Sequence, residues 1–492
     1  IMETTATQLV GAFAGLLRQL VLDVVDYNME HMEAPMAGEH FLAFVANRLV
    51  EAALWGFGGS LVGDDRLEFS EMLRAAAGVT LPPGEHSLLD CFVSTQTGQW
   101  TLWREHVPAV QLQEESVLDT SVVVPTVDTA RNEHVMRAYL NARQPVILCG
   151  PPGSGKTMTL TNALRSLSGF DVVSVNFSSK TLPSLIMKIF DQYGVYHKTP
   201  GGLVLRPAVP DKWLIIFCDE VNLPEQDAYG TQRVISFLRQ LVEHQGFWNT
   251  KEHLWVHVEN IQFVAACNPP TDPGRVPLST RFLSHAPVLF VDYPEEASLL
   301  QIYSVFNRVL LQGRPGVAAL YGQLTEAMVR FYSLNKQHFS LEQQPQYVYS
   351  PRELSRWTRA LHAALSDTTI PVNGSDATSG VATSRLAEED VTLEELVRLA
   401  AHEALRLFCD RLVTQKEKEW CQEQLEAVFA SVFPGVRPEA LQRPILYSRW
   451  LTGRYSSVDR ASLRAYLESR LRVFNEEELN VPLVLFDDVL EH

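Results

Sequence analysis

The chain has 492 residues, 46% hydrophobic and 20% charged, which is long for one compact domain; at roughly 100–200 residues per domain it predicts two to four units. Its formal charge of −17, from 41 basic and 58 acidic residues, argues against a broad electrostatic grip on nucleic acid, an acidic membrane or an acidic polymer. A local basic pocket for phosphates is compatible with that balance.

Over residues 7–27 the apolar positions Leu9, Val10, Phe13, Leu16, Leu17, Leu20, Val21 and Val24 recur every three or four residues, as one face of a helix requires. A second such helix is predicted over 41–54. After "GFGG" the text reads as short strands and turns, with a hairpin turn at "QTGQ". This opening region carries no catalytic constellation and reads as packing structure.

Between about residues 122 and 293 strands and helices alternate. The predicted strands are "PVILCG", "DVVSVNF", "WLIIFCDE", "IQFVAACN" and "PVLFVDY", most of them short apolar runs of the kind a parallel sheet buries on both faces. Helices fit between them at 157–167, 182–193, 231–244 and 279–285. The expected fold class is α/β, a doubly wound parallel sheet with its loops gathered at the carboxyl ends of the strands. Beyond Tyr293 the segments "ASLLQIYSVFNRVLL", "LTEAMVRFYSLNKQHF", "PRELSRWTRALHAAL", "TLEELVRLAAHEALRLFCDRLV" and "SLRAYLESRLRVF" read as helices. Residues 366–390, rich in Ser, Thr and Gly, read as a mobile surface loop.

The six cysteines show no C-x-x-C pairing and three lie in strand-like apolar runs, which predicts buried, reduced thiols in the cytosol. No apolar run approaches the roughly 18 residues of a membrane helix, and the N-terminus lacks a signal-peptide layout. The sequons at Asn176 and Asn373 then read as chance. The start at Ile1 and the stop within the helical spacing of "VPLVLFDDVLEH" suggest a piece of something larger.

"GPPGSGKT" places Gly150, Pro151, Pro152, Gly153, Ser154, Gly155, Lys156 and Thr157 between a predicted strand and a predicted helix, with Met158 next. This is a complete G-x-x-x-x-G-K-[ST] in the context that makes it a phosphate-binding loop. Its glycines let backbone N–H groups close around phosphate oxygens, Lys156 neutralises the β- and γ-phosphates, and Thr157 is a Mg²⁺ ligand. About sixty residues later a buried strand ends in Asp219 and Glu220, the arrangement in which the first acid holds Mg²⁺ and the second polarises the attacking water as general base. Two adjacent acids can also simply open a solvated loop. Asn268 ends a third strand, where its amide can orient the lytic water or cap the turn before Pro269. Arg281 in "LSTRFL" is either a surface charge or a residue offered to another subunit's phosphates. Arg352 stands in the first turn of a helix in "YSPRELSRW", where a cation opposes the dipole unless an anion faces it. His402 in "HEALR" lacks the second histidine of a zinc motif and reads as helix surface.

Taken together, these motifs resemble an AAA+ ATPase. The wording "VVVPTVDTAR", "GPPGSGKTMTL", "VNFSS", "FCDEVNLPEQDAYGTQRVISFLRQLVEHQGFW", "CNPPTDPGR" and "RPILYSRWL" resembles the third AAA+ module of the cytoplasmic dynein heavy chain over nearly the whole sequence. That resemblance implies an α/β large subdomain at 111–293 and a helical small subdomain at 294–475. Residues 1–110 would close a preceding module and 476–492 would open the next. Val124, Pro125 and Thr126 would pack against adenine, and Arg352 would be a sensor-2 arginine. Arg281 would be the finger given to the preceding module. The segment "GFWNTKEHLWVHVENIQF" would be a hairpin insert before Asn268.

The resemblance also implies ATP or ADP with Mg²⁺, and neighbouring AAA+ modules of the same heavy chain as partners. Intermediate and light chains and a lissencephaly-type β-propeller regulator would belong to the full complex, in cytoplasm and cytoskeleton. The implied role is a regulatory ATPase gating minus-end-directed motility. No stalk-like coiled coil is present, so contact with microtubules would be indirect. Two readings stay open: Mg²⁺-dependent ATP hydrolysis, or a non-hydrolysing module that holds nucleotide as structure. A nucleic-acid-directed enzyme is disfavoured by the acidic balance.

Overall fold

A computed structural model of the chain describes residues 2–36, 38–108, 110, 119, 122–165, 167, 169–200, 202–250, 253–366, 391–453, 455–477, 483–486 and 490. It divides into two compact units, Ile1–Ala109 with Pro125–Pro294, and Val110–Val124 with Glu295–His492. The serine- and threonine-rich loop expected at 366–390 lies, beyond Ser366, outside the described residues.

The first unit opens with α1 (Ala6–Glu30) and α2 (Gly38–Gly58). The Thr5 hydroxyl caps α1 by accepting from the Gln8 amide, and the predicted apolar face is the buried one, through Ala12, Leu16 and Leu20. By length and composition both helices are apolar enough to cross a membrane, which corrects the sequence reading. The polar residues that interrupt the apolar runs dilute the composition without removing it.

Next comes α3 (Gly63–Ala77) where strands were expected. Only Arg66 and Ser70 of α3 are buried, so no apolar stripe announces it. Its helical signals are terminal: Asp64 and Asp65 in the first turn complement the dipole, and Gly78 ends it in the left-handed region at φ 63°. The predicted hairpin follows as β1 (Cys91–Val93) and β2 (Trp100–Leu102), paired antiparallel around "QTGQ". After α4 (Trp103–His106), α5 (Val127–Asn141) runs from a Thr126–Thr129 cap and buries Val135, Met136, Tyr139 and Leu140.

The chain then alternates through β3 (Val146–Cys149), α6 (Lys156–Arg165), β4 (Phe170–Asn176), α7 (Pro183–Tyr193), β5 (Gly194–Thr199), β6 (Gly202–Pro207), β7 (Trp213–Asp219) and α8 (Arg233–His244). It continues with β8 (Gly246–Asn249), β9 (Leu254–Val258), β10 (Ile261–Cys267), α9 (Thr280–Leu283) and β11 (Val288–Phe290). The five predicted strands form one all-parallel sheet in the order β11-β3-β10-β7-β4. Val146, Leu148, Ile215, Phe217, Val264 and Ala266 cover one face together with α1, α2, α5 and α6. Ile147, Ile216, Phe263 and Ala265 face the other way, onto α7 and α8. Both faces are thus buried, as the near-continuous apolar runs require. The expected insert hairpin is β8–β9, but it joins β5 and β6 in a four-stranded sheet ordered β5-β6-β9-β8 that the sequence reading had not foreseen.

The second unit is a helical bundle: α10 (Glu296–Gln312), α11 (Tyr321–His338), α12 (Pro351–Leu365), α13 (Leu393–Phe408) and α14 (Gln415–Val432). Two short paired strands, β12 (Tyr447–Ser448) and β13 (Ser456–Ser457), and α15 (Arg460–Glu477) complete it. Its core is aromatic, with Phe331, Trp357, Phe408 and Phe429 all fully buried. The Trp357 indole donates to the Ala400 carbonyl at 3.1 Å, so the ring is buried without an orphaned N–H. His402 is a correction: it is buried, not on the surface, with Nδ1 2.9 Å from the Ile445 carbonyl.

Candidate active site

Three neighbouring strands of the central sheet end at one place. Cys149 and Cys267 are register partners, as are Cys218 and Ala265, so the residues after them are delivered side by side. Gly150 follows β3, Asn268 follows β10, and Asp219 ends β7. This is the carboxyl edge at which open α/β sheets bind ligands.

The loop turns back through Gly153 and Gly155 at φ 83° and 85°, a region costly for residues with a side chain. It feeds straight into α6, whose first residue is Lys156. The Lys156 ammonium donates to the carbonyls of Gly150 at 2.7 Å and Pro151 at 2.9 Å, and to Asn268 Oδ1 at 3.1 Å. Burial pushes its pKa below the ordinary value, opposed by the surrounding Cys267, Cys149, Glu220 and Asp219. Beside it the Thr157 hydroxyl donates to Asp219 Oδ2 at 3.3 Å. Ser154 is buried and its hydroxyl has no hydrogen-bond partner among the described residues, a polar group left for something else to satisfy.

Glu220 adopts φ 57°, left-handed for a residue with a full side chain. Its amide donates to Asp219 Oδ1, and its carboxylate is ion-paired with Arg275. Asn222 is buried, donates to the Asn268 carbonyl at 2.8 Å and accepts from the Val276 amide at 3.0 Å. The Tyr293 hydroxyl donates to the Pro152 carbonyl at 3.0 Å. The sequence reading missed Asn222, Arg275 and Tyr293. Asn222 was the accessible one, two residues past the acid pair; the others had no local signal.

Three family models match. A P-loop containing dynein motor region matches residues 112–294, a dynein heavy chain ATPase lid domain matches 306–418, and a dynein heavy chain AAA lid domain matches 1–105. All three describe one kind of protein. The chain belongs to the AAA motor region of the dynein heavy chain family. Among this family's members, the cytoplasmic dynein heavy chain of Dictyostelium discoideum is 48% identical over 493 residues, that of Drosophila melanogaster 46% over 494, and that of Caenorhabditis elegans 44% over 494. Each match covers 100% of the chain but 10% of the relative, so the chain spans about a tenth of the length of the curated relatives it matches. The parallel sheet with its phosphate-binding loop, followed by a helical lid, is the AAA fold expected from the sequence.

The remaining predicted residues of this dynein motor-region chain are each placed by their own segment. Thr126 uses its hydroxyl to cap α5, accepting from the Thr129 amide. Pro125 precedes it in the first unit, and Val124 is buried and counted with the second. Met158 is 40% exposed on α6. Arg281 is exposed on α9 and has no ion pair among the described residues. Arg352 is exposed in the first turn of α12, where Ser350 and Glu353 form a capping box. It belongs to the second unit.

Proposed function

We propose that this chain is the third AAA+ module of a cytoplasmic dynein heavy chain and hydrolyses ATP with Mg²⁺ as a regulatory step in that motor. The observation that carries the reading is the meeting of Lys156, Thr157, Asp219 and Asn268 within hydrogen-bond reach at three adjacent strand ends. Thr157 and Asp219 offer the oxygen donors that suit Mg²⁺, which keeps most of its remaining positions for water and phosphate. When bound, that ion neutralises charge on the β- and γ-phosphates.

Lys156, already turned inward, sits against the same phosphates, and the unpartnered Ser154 hydroxyl and the loop amides complete the cradle. Glu220 takes the proton of the attacking water, and Asn268 orients that water. Val124, Pro125 and Thr126 line the adenine side, with Pro151, Pro152 and Met158 flanking the phosphates. Arg352 serves as sensor for this module's own nucleotide and Arg281 as finger for a neighbour. The boundaries 1–110, 111–293, 294–475 and 476–492 divide the chain accordingly. Adjacent AAA+ modules are its direct partners. Intermediate chains, light chains, a β-propeller regulator and, indirectly, microtubules belong to the assembly, in the cytoplasm and on the cytoskeleton.

A second reading, a module that holds nucleotide without hydrolysing it, is favoured by one observation, the engagement of the Glu220 carboxylate by Arg275. Titrating the chain with a fluorescent ATP analogue and following phosphate release tests the pair of readings. Saturable binding lost in Lys156→Ala supports the nucleotide site. Phosphate release in the full heavy chain that does not change in Glu220→Gln supports the holding module instead.

A further inference from the structure

The Glu220–Arg275 pair is more specific than the motifs around it require. Arg275 Nη1 and Glu220 Oε2 are buried atoms that meet each other as an ion pair without hydrogen-bond alignment, and neither has a hydrogen-bond partner among the described residues. The two side chains are 14% and 34% exposed, so the pair sits at the mouth of the site, not in the core.

The backbone brings them together twice over. Asn222 binds both the Asn268 carbonyl and the Val276 amide, tying the turn after β7 to the segment after β10. That segment is itself folded, with the Asp272 amide donating to Pro269 and the Arg275 amide donating to Asp272. Glu220 holds its left-handed φ of 57° on the opposite side of the contact, a conformation that persists where its surroundings over-determine it. A carboxylate engaged by a guanidinium has part of its proton-accepting capacity already used.

Resting on the ATPase reading given above, we propose that Arg275 is a positioning residue that holds Glu220 off the attacking water between turnovers, so that hydrolysis proceeds only in the fraction of time the pair is open. A partly exposed pair is suited to this, because solvent screening leaves it weak enough to open. The pair also links the base to the segment that carries Asn268, so anything that moves that segment changes the availability of the base. The regulated step would be proton abstraction, with nucleotide affinity untouched.

The test is a double-mutant cycle in the full heavy chain, reading phosphate release under saturating ATP and, separately, affinity for a fluorescent ADP analogue. Subtracting the rate of Glu220→Gln leaves the turnover that depends on hydrolysis in this module, its own and any it regulates, and that remainder is the share of this module. Arg275→Gln is expected to raise that share about threefold, the scale of a partly exposed ion pair, with the ADP analogue bound as tightly as before. In the Glu220→Gln background the same substitution is expected to have no effect. Arg275→Lys, which keeps the charge but loses the fork, should fall between wild type and Arg275→Gln.

A fall or no change in the share of this module on Arg275→Gln, with ADP binding intact, overturns the inference. Should Arg275→Gln lose ADP binding by misfolding, Arg275→Lys decides alone, and a rate at or below wild type overturns it. If Glu220→Gln by itself leaves phosphate release unchanged, the ATPase reading fails first, a distinguishable outcome.

Discussion

Gly150 has no room for a side chain: a β-carbon there would lie 2.0 Å from the Val291 carbonyl oxygen. The strand must therefore leave the sheet as glycine for Lys156 to fold back onto the Gly150 and Pro151 carbonyls. Gly150→Ala is expected to displace that junction and weaken nucleotide binding at least tenfold, measured by titration with a fluorescent ADP analogue. Gly169→Ala is the control, because nothing lies within 4 Å of a β-carbon there, and its affinity should match wild type. Equal affinities for both variants would mean that the loop tolerates a shift larger than a bond length. At this scale most of the site could be read from sequence. The phosphate-binding loop, the acid pair and Asn268 are local patterns whose spacing carries their chemistry, whereas Arg275 finds its partner only through the pairing of β10 with β7.

Among the elements, those with a continuous buried stripe were the predictable ones. The central strands and helices α1, α2 and α12 announce themselves because core contact sets their spacing. The helix α3 buries only two polar residues, and α14 begins with the charged run "QKEKEW", so neither shows a stripe at its start. Strand β5 buries none of its residues fully, so no apolar run marks it, and it pairs only with its neighbour β6, whose other partner, β9, lies far along the chain. The helix α13 carries a prediction of its own. His402 on it is buried against the Ile445 carbonyl, and burial holds its pKa below the ordinary value, with Ile445 and Glu403 opposing. As pH falls through about 6.5 the unfolded chain takes up this proton first, so stability is complete above that pH and declines below it toward the depressed folded value. Melting temperature followed from pH 7.5 to 5 should therefore fall more steeply in wild type than in His402→Gln. Parallel curves would show that protonation of His402 does not drive the loss.

For the molecule as a whole, two sites serve different nucleotides in the proposed assignment. The first is the cluster at the sheet edge, which works on this chain's own nucleotide. The second is Arg281, exposed on α9 and unpaired among the described residues, which is assigned to a neighbour. Arg281→Ala should leave binding of an ADP analogue to this chain unchanged, and a loss of that binding would show that the arginine serves the local site. An arginine supplied from outside is worth about 10³–10⁵ in rate, so the chain by itself should bind nucleotide yet release phosphate close to background. Whether Glu220 works as a base is the point on which the account turns. The most direct measurement is the identity of the nucleotide retained by this module after Glu220→Gln is introduced into the full heavy chain and incubated with ATP. The account predicts that uncleaved ATP accumulates there while wild type retains ADP. Retention of ADP by the variant at the wild-type rate would contradict it.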